Sequence, residues 1–152
     1  QPLLAKDPAR ITYQIMRSDI EVSAERFKEG LTILDQQLQI HPESYPLMIR
    51  KSEALMKSGL YKEAAGLLEP YSRKRSNDDY VWYLLAEVNG LAGNILGVHE
   101  ARAEYFILNG VYDRAAIQLR NALKYTQGNQ YKTALIEERL KYVEAQMLGR
   151  QF

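Results

Sequence analysis

Residues 56–64 read MKSGLYKEA, and Gly59 at their centre is read as the tight turn between two helices. Glycine enters the left-handed conformation that ends a helix without the steric cost other residues meet there. Thirty-four residues on, the stretch GLAGNI (90–95) carries Gly93, and 17 residues beyond that ILNGVYDRA (107–115) carries Gly110. A recurrence of this length predicts stacked helical hairpins. The half-length step predicts that one helix, roughly 95–109, closes one hairpin and also opens the next.

Thirty-four is the period of the tetratricopeptide repeat (TPR), and the residues between the glycines resemble that family's pattern. Its first helix carries a bulky residue at repeat position 4, an apolar one at 7 and a small one at 8; its second carries a small residue at 20 and a bulky one at 24. With position 1 at Ile11, Tyr45 and Asp79, position 8 falls on Ser18, Ser52 and Ala86, and position 20 on Gly30, Ala64 and Val98. Trp82, Leu85 and Ala86 fill positions 4, 7 and 8 of the third unit, which places Trp82 in the core. A unit begun at Leu96 instead sets Ala103 at 8, Gly110 at 15, Tyr112 at 17, Ala115 at 20, Leu119 at 24 and Ala122 at 27.

Boundary residues agree. Asp7 before Pro8, Ser44 before Pro46, and the run Asn77, Asp78, Asp79 are helix N-caps. The expected helices are 8–23, 25–40, 44–57, 61–75, 79–92, 95–109, 111–126 and 129–148. The predicted class is all-α: one domain over 1–152, a right-handed superhelix of about four hairpins with units near 11–44, 45–78, 79–112 and 96–126. Ile136, Leu140, Val143 and Met147 make an apolar stripe on the final helix, with Glu137, Glu138, Lys141 and Glu144 away from it, as a capping helix requires. Pro70 should kink the fourth helix or end it early.

Composition narrows the function. Twenty Lys and Arg oppose 19 Asp and Glu, 46% of the 152 residues are hydrophobic, and there is no cysteine. Disorder, a disulfide framework and thiolate metal sites are excluded. No stretch is apolar for long enough to span a bilayer, and the balanced charge gives no pull toward nucleic acid. Gln1 and Pro2 in place of an initiating Met, with no leader pattern after them, suggest a segment of a longer protein.

Catalytic motifs are absent. His99 and Glu100 begin HEARA, but the second histidine of an HExxH zinc site would fall on Ala103. His41 precedes Pro42 in an interrepeat turn. Arg73, Lys74 and Arg75, with Arg102, Arg114 and Arg120 further on, read as solvated helix ends rather than an anion patch.

A candidate site comes from the register. In these superhelices positions 5 and 9 of the first helix face the concave groove. Position 9 is Asp19, Glu53, Glu87 and Glu104, acidic each time; position 5 is Ile15, Ile49, Tyr83 and Glu100. An apolar strip beside a row of carboxylates suits an extended partner segment with hydrophobic and basic residues, and would repel a carboxylate. The partner-binding groove is therefore expected to comprise Ile15, Asp19, Ile49, Glu53, Tyr83, Glu87 and Glu104, with Tyr83 as an anchor.

Residues 99–124, HEARAEYFILNGVYDRAAIQLRNALK, followed by YKTALIEERL (131–140), resemble the C-terminal repeat domain of BepA-type periplasmic zinc metalloproteases. That resemblance implies a peptidase domain upstream, which would hold the zinc. It also implies periplasmic localisation and a role in outer-membrane biogenesis as part of a protease and chaperone. The implied partners are the parent's own peptidase domain, subunits of the β-barrel assembly machinery and unfolded barrel proteins. No zinc ligand or catalytic residue of that family has a counterpart in this segment, so no cofactor and no peptidase activity are expected of it. The alternative is a scaffold or adaptor repeat protein unrelated to proteolysis.

Overall fold

The computed structural model describes residues 8–150, among which eight α-helices and no strand occur. They are α1 (Pro8–Ser23), α2 (Phe27–Ile40), α3 (Tyr45–Lys57), α4 (Tyr61–Lys74), α5 (Asp79–Leu91), α6 (Ile95–Leu108), α7 (Tyr112–Leu123) and α8 (Gln130–Gly149). The all-α class read from the repeat period is the one found.

Side-chain caps start four of these helices by accepting backbone N–H groups that have no intrahelical partner. Ser44 Oγ accepts from Leu47 at 3.4 Å, Asp78 from Tyr80 at 3.1 Å and Val81 at 3.4 Å, Asn94 from Gly97 at 3.0 Å, and Asn129 from Lys132 at 2.9 Å. Asp7, read as a cap of α1, lies outside the described residues.

The hairpin turns share one geometry. Gly59, Gly93 and Gly110 have φ of 79°, 80° and 73°, and the residue after each donates to a carbonyl five positions back at 2.8 to 2.9 Å. Glu25 joins them with φ 60°, while Arg26 N–H reaches Glu21 O at 2.8 Å. It occupies the same repeat position as the glycines, and its side chain hid the turn from the sequence reading. That turn starts α2 at Phe27 instead of residue 25. Gly128, with φ 79°, closes a further turn that the 17-residue spacing passes over. There α7 stops at Leu123, short of 126, as Thr126 Oγ1 bonds back to the Leu123 carbonyl at 3.0 Å.

Pro70 does not end α4, which continues to Lys74. The ring removes the N–H that would have bonded the Gly66 carbonyl. Both residues are solvent-exposed, so water can satisfy that oxygen, and Gly66 has no side chain to constrain the local adjustment.

The chain divides after Ala64 into two compact units, the boundary falling inside α4. In the first, α1 packs on α2 and α3, and α2 on α3, around Ile15, Val22, Leu34, Leu47 and Ala54. The small residues at positions 8 and 20 work as read from the sequence. Ser18 is buried with its hydroxyl donated to the Gly30 carbonyl at 2.9 Å, and a Cβ on Gly30 would lie 2.8 Å from Val22 Cγ2.

In the second unit α5 packs on α6, α6 on α7 and α7 on α8. Ala103, Ile107, Ala115, Ala116, Leu119 and Ala122 meet Ile136 and Val143, with Leu140 and Met147 at the edge, so the stripe on the final helix is core. Full burial of one such Leu or Ile stabilises by about 1.5–3 kcal/mol. Trp82 is not core: it is half-buried, and its indole N–H donates to the Ser76 carbonyl at 3.0 Å. Nor is the rest of α8 uniformly polar. Tyr131, Leu135 and Tyr142 form a second, exposed apolar line, with Tyr131 75% and Leu135 49% accessible.

Candidate functional site

The acids at position 9 occupy different settings. In the first unit, Arg50 is 3.3 Å from Asp19 and 4.0 Å from Glu53, so one guanidinium serves both carboxylates. Ile15 and Ile49, expected on an open apolar strip, are buried. Ile15 belongs to the core that α1 forms with its neighbours, where contact with Leu34 and Leu47 wins over exposure. At positions 5 and 9 this unit therefore presents ion-paired acids without the anticipated apolar strip beside them.

The second unit retains the anticipated character at α5. Tyr83 is 52% exposed. Its ring stacks on Tyr80 at 6.1 Å and leans on Tyr105 of α6 at 6.0 Å, and Tyr105 in turn meets Phe106 edge-on at 5.8 Å. These distances lie in the favourable range for offset and tilted aromatic pairs. Glu87 stands one turn after Tyr83 on the same face, exposed, and enters no ion pair among the described residues. Asp79, one turn before, accepts a weak bond from Asn109 at 3.3 Å. A rigid aromatic patch with acids at both ends suits a cationic side chain, which an aromatic face and a carboxylate both attract.

Glu104 leaves this row. Arg139 of α8 forks onto both its oxygens, at 2.8 and 2.7 Å, and packs its guanidinium 4.9 Å from the Tyr142 ring. The hydrogen bond to Glu104 raises the Arg139 pKa above its usual value against partial desolvation. Four residues earlier, Glu100 takes Lys132 at 3.1 Å. Both pairs border a cleft of about 280 Å³ that Tyr83 and Glu87 do not line. A third pair, Arg73 with Glu69 at 2.9 Å, stands on its α4 side. Trp82, Leu85, Leu119, Leu135 and Ile136 supply its apolar wall.

The half-length step accounts for the difference. α6 serves as the second helix of one hairpin and the first of the next, so Glu104 faces α8 rather than the Tyr83 surface. Lys132 and Arg139 were absent from the sequence reading. The signal lay in their separations of 32 and 35 residues from Glu100 and Glu104, which bracket one repeat period and set α8 beside α6.

His99 Nδ1 is engaged with Gln118 Oε1 at 2.8 Å and its ring stacks on Tyr125 at 5.8 Å. Among the described residues no three His, Cys, Asp or Glu side chains converge as metal ligands. Three of the six basic residues singled out in the sequence are engaged: besides Arg73, Arg75 pairs with Asp78 at 3.4 Å and Arg120 with Glu144 at 3.5 Å. No helix among the described residues is long and apolar enough to cross a membrane.

Residues 21–88 match the family model described as tetratricopeptide repeat. The Beta-barrel assembly-enhancing protease of Escherichia coli K12 is 29% identical over 122 residues, and the Shigella flexneri protein of the same name matches equally. The match covers 80% of this chain and 25% of each relative, so the chain spans about a quarter of their length. Among solved structures, MamA from Desulfovibrio magneticus RS-1 superposes with a TM-score of 0.56 at 16% identity, over 87% of this chain and 74% of that one. At that identity the likeness is one of fold.

Proposed function

We propose that this chain, whose residues 21–88 match the tetratricopeptide-repeat model, binds proteins for a longer parent, a periplasmic protease and chaperone of outer-membrane biogenesis. In this reading the parent's zinc and peptidase residues lie in another domain, and this segment recruits partners: subunits of the β-barrel assembly machinery or unfolded barrel clients. The similarity to the Beta-barrel assembly-enhancing protease supports the setting. The observation that carries the binding role is the exposed Tyr83, stacked on Tyr80 and tilted against Tyr105, with Glu87 beside it in no ion pair among the described residues. Tyrosine offers large contact area for little lost entropy, and a carboxylate without a base is available to a partner's Lys or Arg. Asp19 and Glu53, already held by Arg50, contribute less.

Photocrosslinkers placed singly at Tyr83, Arg73 and Arg120 in the parent protein test this. Crosslinks to a partner should form from position 83 and fall about tenfold in a Glu87→Lys background, with the helical circular dichroism unchanged. Undiminished crosslinking in that background would remove Glu87 from the site. Crosslinks confined to positions 73 and 120 would favour a scaffold that makes its contacts elsewhere.

A further inference from the structure

We propose that the cleft lined by α4 to α8 is a second binding site, a pocket for one neutral apolar side chain, aromatic or leucine-sized, presented by a protein partner. It is separate from the Tyr83 surface and does not depend on the function assigned to that surface.

Four features fix the class of guest. The cleft holds about 280 Å³, the scale of a side chain and the lower edge of small-ligand pockets. Its charges are already consumed: Glu69 binds Arg73, Glu100 binds Lys132 and Glu104 binds Arg139. The sum around the opening is therefore zero, and a charged guest would have to be desolvated and break an existing pair to gain one of its own. Trp82 has its N–H turned to the Ser76 carbonyl, so the ring offers the cleft only carbon. Leu135 adds an apolar edge that stays half-exposed, continuous along α8 with the exposed Tyr131. A site that is apolar inside and electrically closed at its rim selects a neutral, greasy guest.

Trp82 is the sole tryptophan of the chain and reports on the cleft directly. Capped alanine pentapeptides with a central Phe, Leu, Lys or Glu serve as probes, with Trp82 emission as the readout. The Phe and Leu peptides should change the emission saturably, with dissociation constants at least about tenfold below those of the Lys and Glu peptides. Leu135→Asp, at a half-exposed position where folding is not at stake, should weaken the Phe peptide by a similar factor. Tyr83→Ala should leave that binding unaltered, which separates this site from the function proposed above. Equal binding of the charged peptides, or no saturable change up to the solubility limit, would overturn the proposal. So would an emission change on raising the protein concentration alone, with a dimer in sedimentation, since the occupant would then be a second copy.

Discussion

Arg139 holds Glu104 through two parallel hydrogen bonds of 2.8 and 2.7 Å that join α8 to α6 across 35 residues of sequence. A forked guanidinium and carboxylate bind more strongly and with more directional constraint than a single contact. Both groups keep partial access to water, so screening limits the gain. A double-mutant cycle of Glu104→Gln and Arg139→Gln, followed by urea unfolding, should give a coupling of about 1 kcal/mol. A coupling indistinguishable from zero would mean that packing alone holds α8 in place.

Glu25 occupies a turn that glycine fills elsewhere, with φ 60°. A residue with a Cβ is strained in that conformation by about 1 kcal/mol. Glu25→Gly should therefore stabilise the chain by roughly that amount, less the entropy glycine regains in the unfolded state. The midpoint of denaturation should rise. A fall would show that the glutamate side chain contributes more than its backbone strain costs.

Gly30→Ala tests the crossing of α1 and α2. The new methyl would press on Val22 Cγ2 at 2.8 Å and the Ser18 carbonyl at 3.2 Å. Overpacking of this kind costs about 1–3 kcal/mol, far more than the helix propensity gained. Ser18→Ala should cost about 1 kcal/mol through loss of its buried hydrogen bond. An unchanged midpoint for Gly30→Ala would require the two helices to separate easily.

At Gly110 two effects coincide. Its φ of 73° disfavours any side chain, and a Cβ there would sit 2.9 Å from the Arg150 guanidinium, which donates to the Gly110 carbonyl at 2.8 Å. Gly110→Ala should cost about 1–2 kcal/mol from the backbone alone. Adding Arg150→Ala should cost less than the separate changes predict, because the guanidinium is displaced already. Strict additivity by chemical denaturation would place the whole effect in the backbone.

The repeat period made the fold legible, because small residues at helix crossings and glycines at turns are local requirements that recur with the hairpin. Ser18, Gly30 and Ala103 are buried where the register put them. The exposure of Tyr83 and Glu87 on one face of α5 was legible from the helical register. It was obscured at Ile15, Ile49 and Glu104, where a residue's exposure depends on which neighbour covers it. Arg50 and Arg139 decided the state of three acids, and a charge partner on another helix leaves no mark on its counterpart's own segment. Trp82 shows the same limit: its place in the repeat suggested core, whereas the spacing of α4, α6 and α8 leaves it at the edge of a cleft.

The second unit's core is completed by Ile136 and Val143 of α8. During synthesis, Ala115, Leu119 and Ala122 leave the ribosome before the residues that cover them. A nascent chain cut short within α8 would keep that alanine and leucine face wet and adhesive. Ribosomal stalling in this region, or proteolytic nicking at the exposed Gly128 turn, should thus convert a well-folded unit into a substrate for holdase chaperones.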